Sequence, residues 1–178
     1  MQIKIPYLNE ELPLKALLDI LKFEGGQSEL PDSKPLMNGA VGAYALTQTG
    51  AQMFEHSFSG SVLFGLISAA LLYGSTMMLA KFTGGLGGRF VKTLTALGAM
   101  GSVAALVYIA LHLVFAIALP PPLPTGKLLR FLLFPIVVWT VFIFSWLYRH
   151  IKVRTIPSFV AAGVYVILVD MILSPLLK

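Results

Sequence analysis

Four long apolar stretches dominate the second part of this chain, at about Phe58 to Phe82, Thr93 to Leu119, Leu128 to Tyr148 and Ile156 to Leu177. Each reaches the roughly 20 residues that a helix rising ~1.5 Å per residue needs to cross ~30 Å of hydrocarbon. Hydrocarbon offers no partner for a free backbone N–H or C=O, so a chain built this way folds as α-helices, each satisfying its own backbone. The expected fold is therefore an all-α integral membrane protein, a polytopic bundle of four helices, or five if one further segment crosses. Residues 58–178 form this transmembrane bundle, and residues 1–57 form an acidic extramembrane segment carrying a short amphipathic helix.

Composition closes off the alternatives. Hydrophobic residues make up 57% of the 178 positions and charged residues 12%, with a mean hydropathy of +0.83, which excludes a soluble domain of ordinary make-up. The absence of cysteine removes disulfides, thiolate metal sites and cysteine nucleophiles together. The net charge of +5 does not point to nucleic acid, because membrane proteins gather Lys and Arg in cytoplasmic loops and no basic face interleaved with aromatics is present. Asn9, Glu10, Glu11 and Lys15 break the apolar run that a cleavable signal peptide needs.

Charge is divided unevenly along the chain. Residues 1–57 hold four lysines against seven carboxylates, a balance of −3. Within them, Pro13 follows Asn9, Glu10 and Glu11 as at a helix start, and Gly25 and Gly26 end the helix near Phe23. Leu14, Leu17, Leu18 and Leu21 give that helix an apolar face, to be packed on the bundle, on a partner or on the membrane surface. Leu36 to Phe54 is only weakly apolar, with Gly39, Gly42, Gly50 and several amide side chains. It fits a surface helix best, with a re-entrant segment or a poor span as alternatives.

The connections orient the bundle. Lys81, Arg89, Lys92, Arg149, Lys152 and Arg154 flank the first and third connections, against Lys127, Arg130 and Lys178 on the other side, so the first set faces the cytoplasm. Arg89, Lys92, Arg149, Lys152 and Arg154 are the expected contacts to lipid headgroups. With four spans the acidic segment lies outside; with a fifth it lies in the cytoplasm.

Two ionisable residues fall inside spans, His112 and Asp170, each seven residues before the end of its stretch. On helices running the same way they share a depth, and a carboxylate there must be neutral or meet a donor. The pair is either a hydrogen bond fixing helix register or a proton-relay or ligand-binding site. Gly65 with Ala69, and Gly98 with Ser102, are small-residue pairs that let helices approach closely. The glycine run Gly84 to Gly88 lacks the Lys-Ser or Lys-Thr of a phosphate loop. His56, His112 and His150 are scattered, and neither HExxH nor GxSxG occurs, so no catalytic residue, metal site or cofactor is expected.

The stretches LAKFTGGLGGRFVKTLTALG (Leu79 to Gly98) and WLYRHIKVRTIPSFVAAG (Trp146 to Gly163) resemble those of Yip1-domain membrane proteins. There, a glycine-containing basic loop precedes Phe and a helix rich in small residues, and the penultimate helix leads into a basic loop. The resemblance covers about 120 residues. It implies a non-enzymatic protein with five spans, whose eukaryotic relatives act in vesicle trafficking with small GTPases and whose bacterial relatives sit in the inner membrane. It assigns no functional residue here.

The functional expectation is a scaffold or accessory subunit of a membrane complex, multi-pass, placed in the inner membrane if the source is bacterial. Its partners are the lipid bilayer and other membrane subunits or further copies of itself. The alternative is a small transporter or lipid-handling protein using His112 and Asp170.

Overall fold

The computed structural model describes residues 13–25, 27–54, 56–118 and 125–173, with side chains apart from those at 125–127, 129, 130 and 170–172. The described residues are helical nearly throughout. They comprise α1 (Leu14–Leu21), α2 (Lys34–Gln52), α3 (Phe58–Thr83), α4 (Gly88–Ala118), α5 (Thr125–Tyr148) and α6 (Thr155–Ile167). A π turn, Leu168–Leu173, continues α6. The proline-rich connection Pro120 to Pro124 and the Asp170 side chain lie outside the described residues.

Among the described residues, three segments are long and apolar enough to cross a membrane: Phe58–Thr83, Gly88–Ala118 and Phe131–Ile151. They give the chain the build of a helical integral membrane protein. The fourth apolar stretch is folded as the 13 residues of α6 and the π turn beyond them.

α4 is the axis. Its 31 residues extend about 46 Å at the usual rise. From Val91 to Ala105 it is buried on most sides, by α1, α2, α3 and α5, whereas Leu106, Val107, Leu113, Val114 and Ile117 are exposed. A helix surrounded by others must be small where they cross. A Cβ on Gly98 would come within 2.9 Å of the Ala40 backbone, and one on Gly101 within 2.6 Å of the Tyr44 ring. These contacts, with Gly50 against Ile109, show α2 ascending parallel to α4.

α2 starts at Ser33, whose hydroxyl caps the helix by accepting from Leu36 N–H at 3.3 Å. Its 19 residues run about 29 Å, along α4 on one side and antiparallel to α3 on the other, where Gly65 lies against Ala45 and Thr49. The segment expected to rest on the surface thus lies lengthwise in the bundle. Ala40, Ala45 and Gly50 allow this close packing, and Leu36, Met37, Tyr44 and Ala51 are buried.

α1 packs on α4 through Ala16 and Ile20, with Leu17 and Leu21 partly buried. Leu18, expected on that face, is 54% exposed. The packed stripe is turned away from Leu18, so that the small Ala16 meets α4. α3 ends at Gly84, in the left-handed region at φ 67°, where Gly85 N–H reaches back to Ala80 O at 2.9 Å. Thr83 Oγ1 donates to Ile151 O at 2.6 Å, joining the two basic connections.

Candidate intramembrane cavity

A cavity of about 260 Å³ lies between α2, α4, α5 and α6. It is close to the lower end of small-molecule pockets, about 300–1,000 Å³. Its floor is aromatic. Tyr44 and Tyr165 place their hydroxyls 2.6 Å apart, Tyr165 donates to Ser68 O at 3.2 Å, and Phe144 packs on Tyr165 with ring centres 5.7 Å apart. Gly101 leaves room for the Tyr44 ring. The floor therefore ties α2, α3 and α6 together about ten residues above the start of α2.

From this floor the cavity rises along α2 from Tyr44 to Gln52, ~12 Å of helix. Tyr44, Gln48 and Gln52 follow one another at four-residue spacing and line it. Facing them on α4 are Gly101, Ala104 and Ala105, whose small side chains leave the space, and then Tyr108. Leu133, Phe134, Ile136 and Val137 of α5, Val166 of α6 and Val169 of the π turn make the opposite wall apolar. That wall includes the neighbours of Pro135, which interrupts the hydrogen-bond ladder of α5. Thr140 adds a hydroxyl already donated to Ile136 O at 2.8 Å.

Polarity is thus concentrated on α2 and α4, and apolar surface on α5 and α6. None of the described residues lining the cavity carries a formal charge at neutral pH. Gln52 Oε1 is buried without a hydrogen-bond partner among the described residues, a state that costs roughly 1–3 kcal/mol. Such a lining suits a small amphiphile without charge.

His112 sits just beyond the cavity. Its ring stacks on Phe54 at 4.2 Å and 19°, with Tyr108 6.0 Å away, and its Nδ1 is buried without a hydrogen-bond partner among the described residues. Asp170 falls in the π turn; its side chain is outside the described residues, so His112 is characterised by its aromatic neighbours.

The basic residues of the first and third connections gather at the opposite end. Arg89, Arg149, Lys152 and Arg154 are exposed there, and Lys92 Nζ donates to Ser28 O at 2.7 Å. The described residues just before α2 dock on this end: Asp32 places its carboxylate against Gly88 at the start of α4, where the helix dipole favours negative charge. Phe23 meets Trp146 edge-on at 5.7 Å. The small residues serve contacts within the chain: Gly65 and Gly98 face α2, Ala69 is buried, and Ser102 donates to Gly98 O at 2.7 Å.

Tyr44, Gln48, Gln52, Tyr108, Thr140 and Tyr165 were not singled out from sequence. Their signal was the four-residue spacing of Tyr44, Gln48 and Gln52, which marks one helix face. Read as polarity, the same amides argued against a place within the bundle. Among the described residues no group of three or more His, Asp or Glu side chains stands ready for a metal ion. Comparison with protein-family models, with curated proteins and with solved structures gave no match.

Proposed function

We propose that this chain is a non-enzymatic membrane protein of five spans that holds a small amphiphilic molecule in the cavity between α2, α4, α5 and α6. The observation that carries the reading is the two-sided lining, with Gln48, Gln52 and Tyr108 opposite Leu133, Phe134 and Val169. Lipid needs no cavity to solvate an apolar helix, so a space faced with amides inside such a bundle calls for a bound molecule or water.

The five spans are α2 through α6 with its π turn. Support for counting α2 comes from its contacts along α4, from Ala40 on Gly98 to Gly50 on Ile109. Gln48 and Gln52 line the cavity, and Thr47 and Thr49 donate to backbone carbonyls of their own helix, so less of their cost falls on lipid contact. In this arrangement the acidic segment stands beside Arg149 and Lys152 on the cytoplasmic side. Five spans also agree with the Yip1-domain resemblance, which we retain as part of the proposal.

The test is direct. Protein purified in mild detergent is extracted with organic solvent and the extract analysed by mass spectrometry, beside an Ala104→Phe variant that fills the cavity. A single amphiphile class enriched with the wild type and lost in the folded variant supports the reading. Equal lipid profiles, together with a stoichiometric protein partner, would favour an accessory subunit instead.

A further inference from the structure

We infer that the cavity selects an uncharged lipid with a hydroxyl-bearing head, such as a monoacylglycerol, seated with its head on Gln48 and Gln52 and its chain along α5 and α6. This inference rests on the proposed amphiphile cavity and specifies its occupant.

Three observations carry it. First, an ionised head would enter a space whose described lining offers no counter-charge; the exposed cations Arg89, Arg149 and Lys152 are at the other end of the bundle, and the side chains of Lys127, Arg130 and Asp170 lie outside the described residues. Desolvating a phosphate or carboxylate against this described lining would cost several kcal/mol, which favours an uncharged head. Second, a molecule without a polar head would leave the two amides unmatched. Gln52 Oε1 lacks a partner among the described residues, and a hydroxyl donor in the cavity that its side chain turns to meet would satisfy it. Gln48, one turn below, offers both amide donor and acceptor to a second oxygen. Third, the apolar wall on α5 and α6 is continuous from Val137 to Leu133, and neighbouring Phe134 is 58% exposed on the outside of the bundle. An acyl chain leaving past Phe134 continues into the surrounding hydrocarbon, so a volume of about 260 Å³ need hold only the head and the first part of the chain.

Native mass spectrometry of the full chain in detergent, titrated separately with 1-monooleoylglycerol, 1-oleoyl lysophosphatidate and 1-octadecene, tests this. The expected result is saturation at one monooleoylglycerol per protein, with the other two binding at least about tenfold more weakly, the ratio for ~1.4 kcal/mol. The paired substitution Gln48→Leu with Gln52→Leu should lower monooleoylglycerol affinity by about tenfold while leaving octadecene binding equal or tighter. Misfolding would not produce that opposite movement. Ala104→Phe should weaken all three.

Equal binding of the three probes, or preference for lysophosphatidate, overturns the neutral-head inference while leaving the amphiphile cavity standing. No binding of any probe to the wild type overturns both.

Discussion

The hydroxyls of Tyr44 and Tyr165 lie 2.6 Å apart, joining two residues 121 positions distant in sequence at the floor of the cavity. Since Tyr165 donates onward to Ser68 O, Tyr44 is the donor to Tyr165, and the chain of bonds runs from α2 through α6 to α3. Hydrogen bonds in series in a low-dielectric interior strengthen one another. This floor also separates the amide-lined space above it from the tightly packed lower half of the bundle.

Tyr44→Phe is expected to lower unfolding free energy in detergent by about 1 kcal/mol, and Tyr165→Phe by more, because it breaks both bonds. The double variant should lose less than the two singles added. A coupling below about 0.3 kcal/mol in the double-mutant cycle would contradict the series arrangement.

Gly98→Ala and Gly74→Ala should separate sharply. The first drives a methyl into the Ala40 backbone and the second meets open space. We expect a loss of about 1–3 kcal/mol at Gly98 and, at Gly74, no loss or a gain of up to about 1 kcal/mol. Thermal unfolding of the two variants in one detergent measures the difference.

Phe23→Ala should loosen the acidic segment from the basic end, since Phe23 packs on Trp146. In a Trp139→Phe background, which leaves one of the two tryptophans, the emission of Trp146 is expected to move to longer wavelength. Protease cleavage near Ser28 should also accelerate. Unchanged emission and cleavage would show that the contact contributes nothing to docking.

How much of this was legible in the chain differs by element. α3, α4 and α5 were plain, because 20 or more apolar residues in lipid admit one solution, the helix. α2 was not. Its glycines and amides lower the average that identifies a span, yet several of its residues have a purpose that appears only with a neighbour: Ala40, Ala45 and Gly50 where α2 meets Gly98, Gly65 and Ile109, and Gln48 and Gln52 where it faces the cavity. Gly98 and Ser102 of α4 were visible as packing positions, but whether nearby small residues such as Ala104 admit a partner helix or leave an open space depends on which helix lies opposite. His112 stood out as an ionisable residue in a span; that its ring rests on Phe54 follows from the parallel course of α2 and α4, which no spacing in the chain declares. The face of α1 was misjudged at Leu18 because helical periodicity cannot tell a packed alanine from an exposed one.

The central claim is that α2 crosses the membrane and supplies the polar wall of the cavity. The chain contains no cysteine, so single substitutions Ser28→Cys, Ser57→Cys and Lys152→Cys, all at exposed positions, can be labelled one at a time in sealed, oriented vesicles with a membrane-impermeant maleimide. The account predicts that Ser28→Cys and Lys152→Cys label from the same side and Ser57→Cys from the opposite side. Labelling of Ser28→Cys and Ser57→Cys from one and the same side would contradict it.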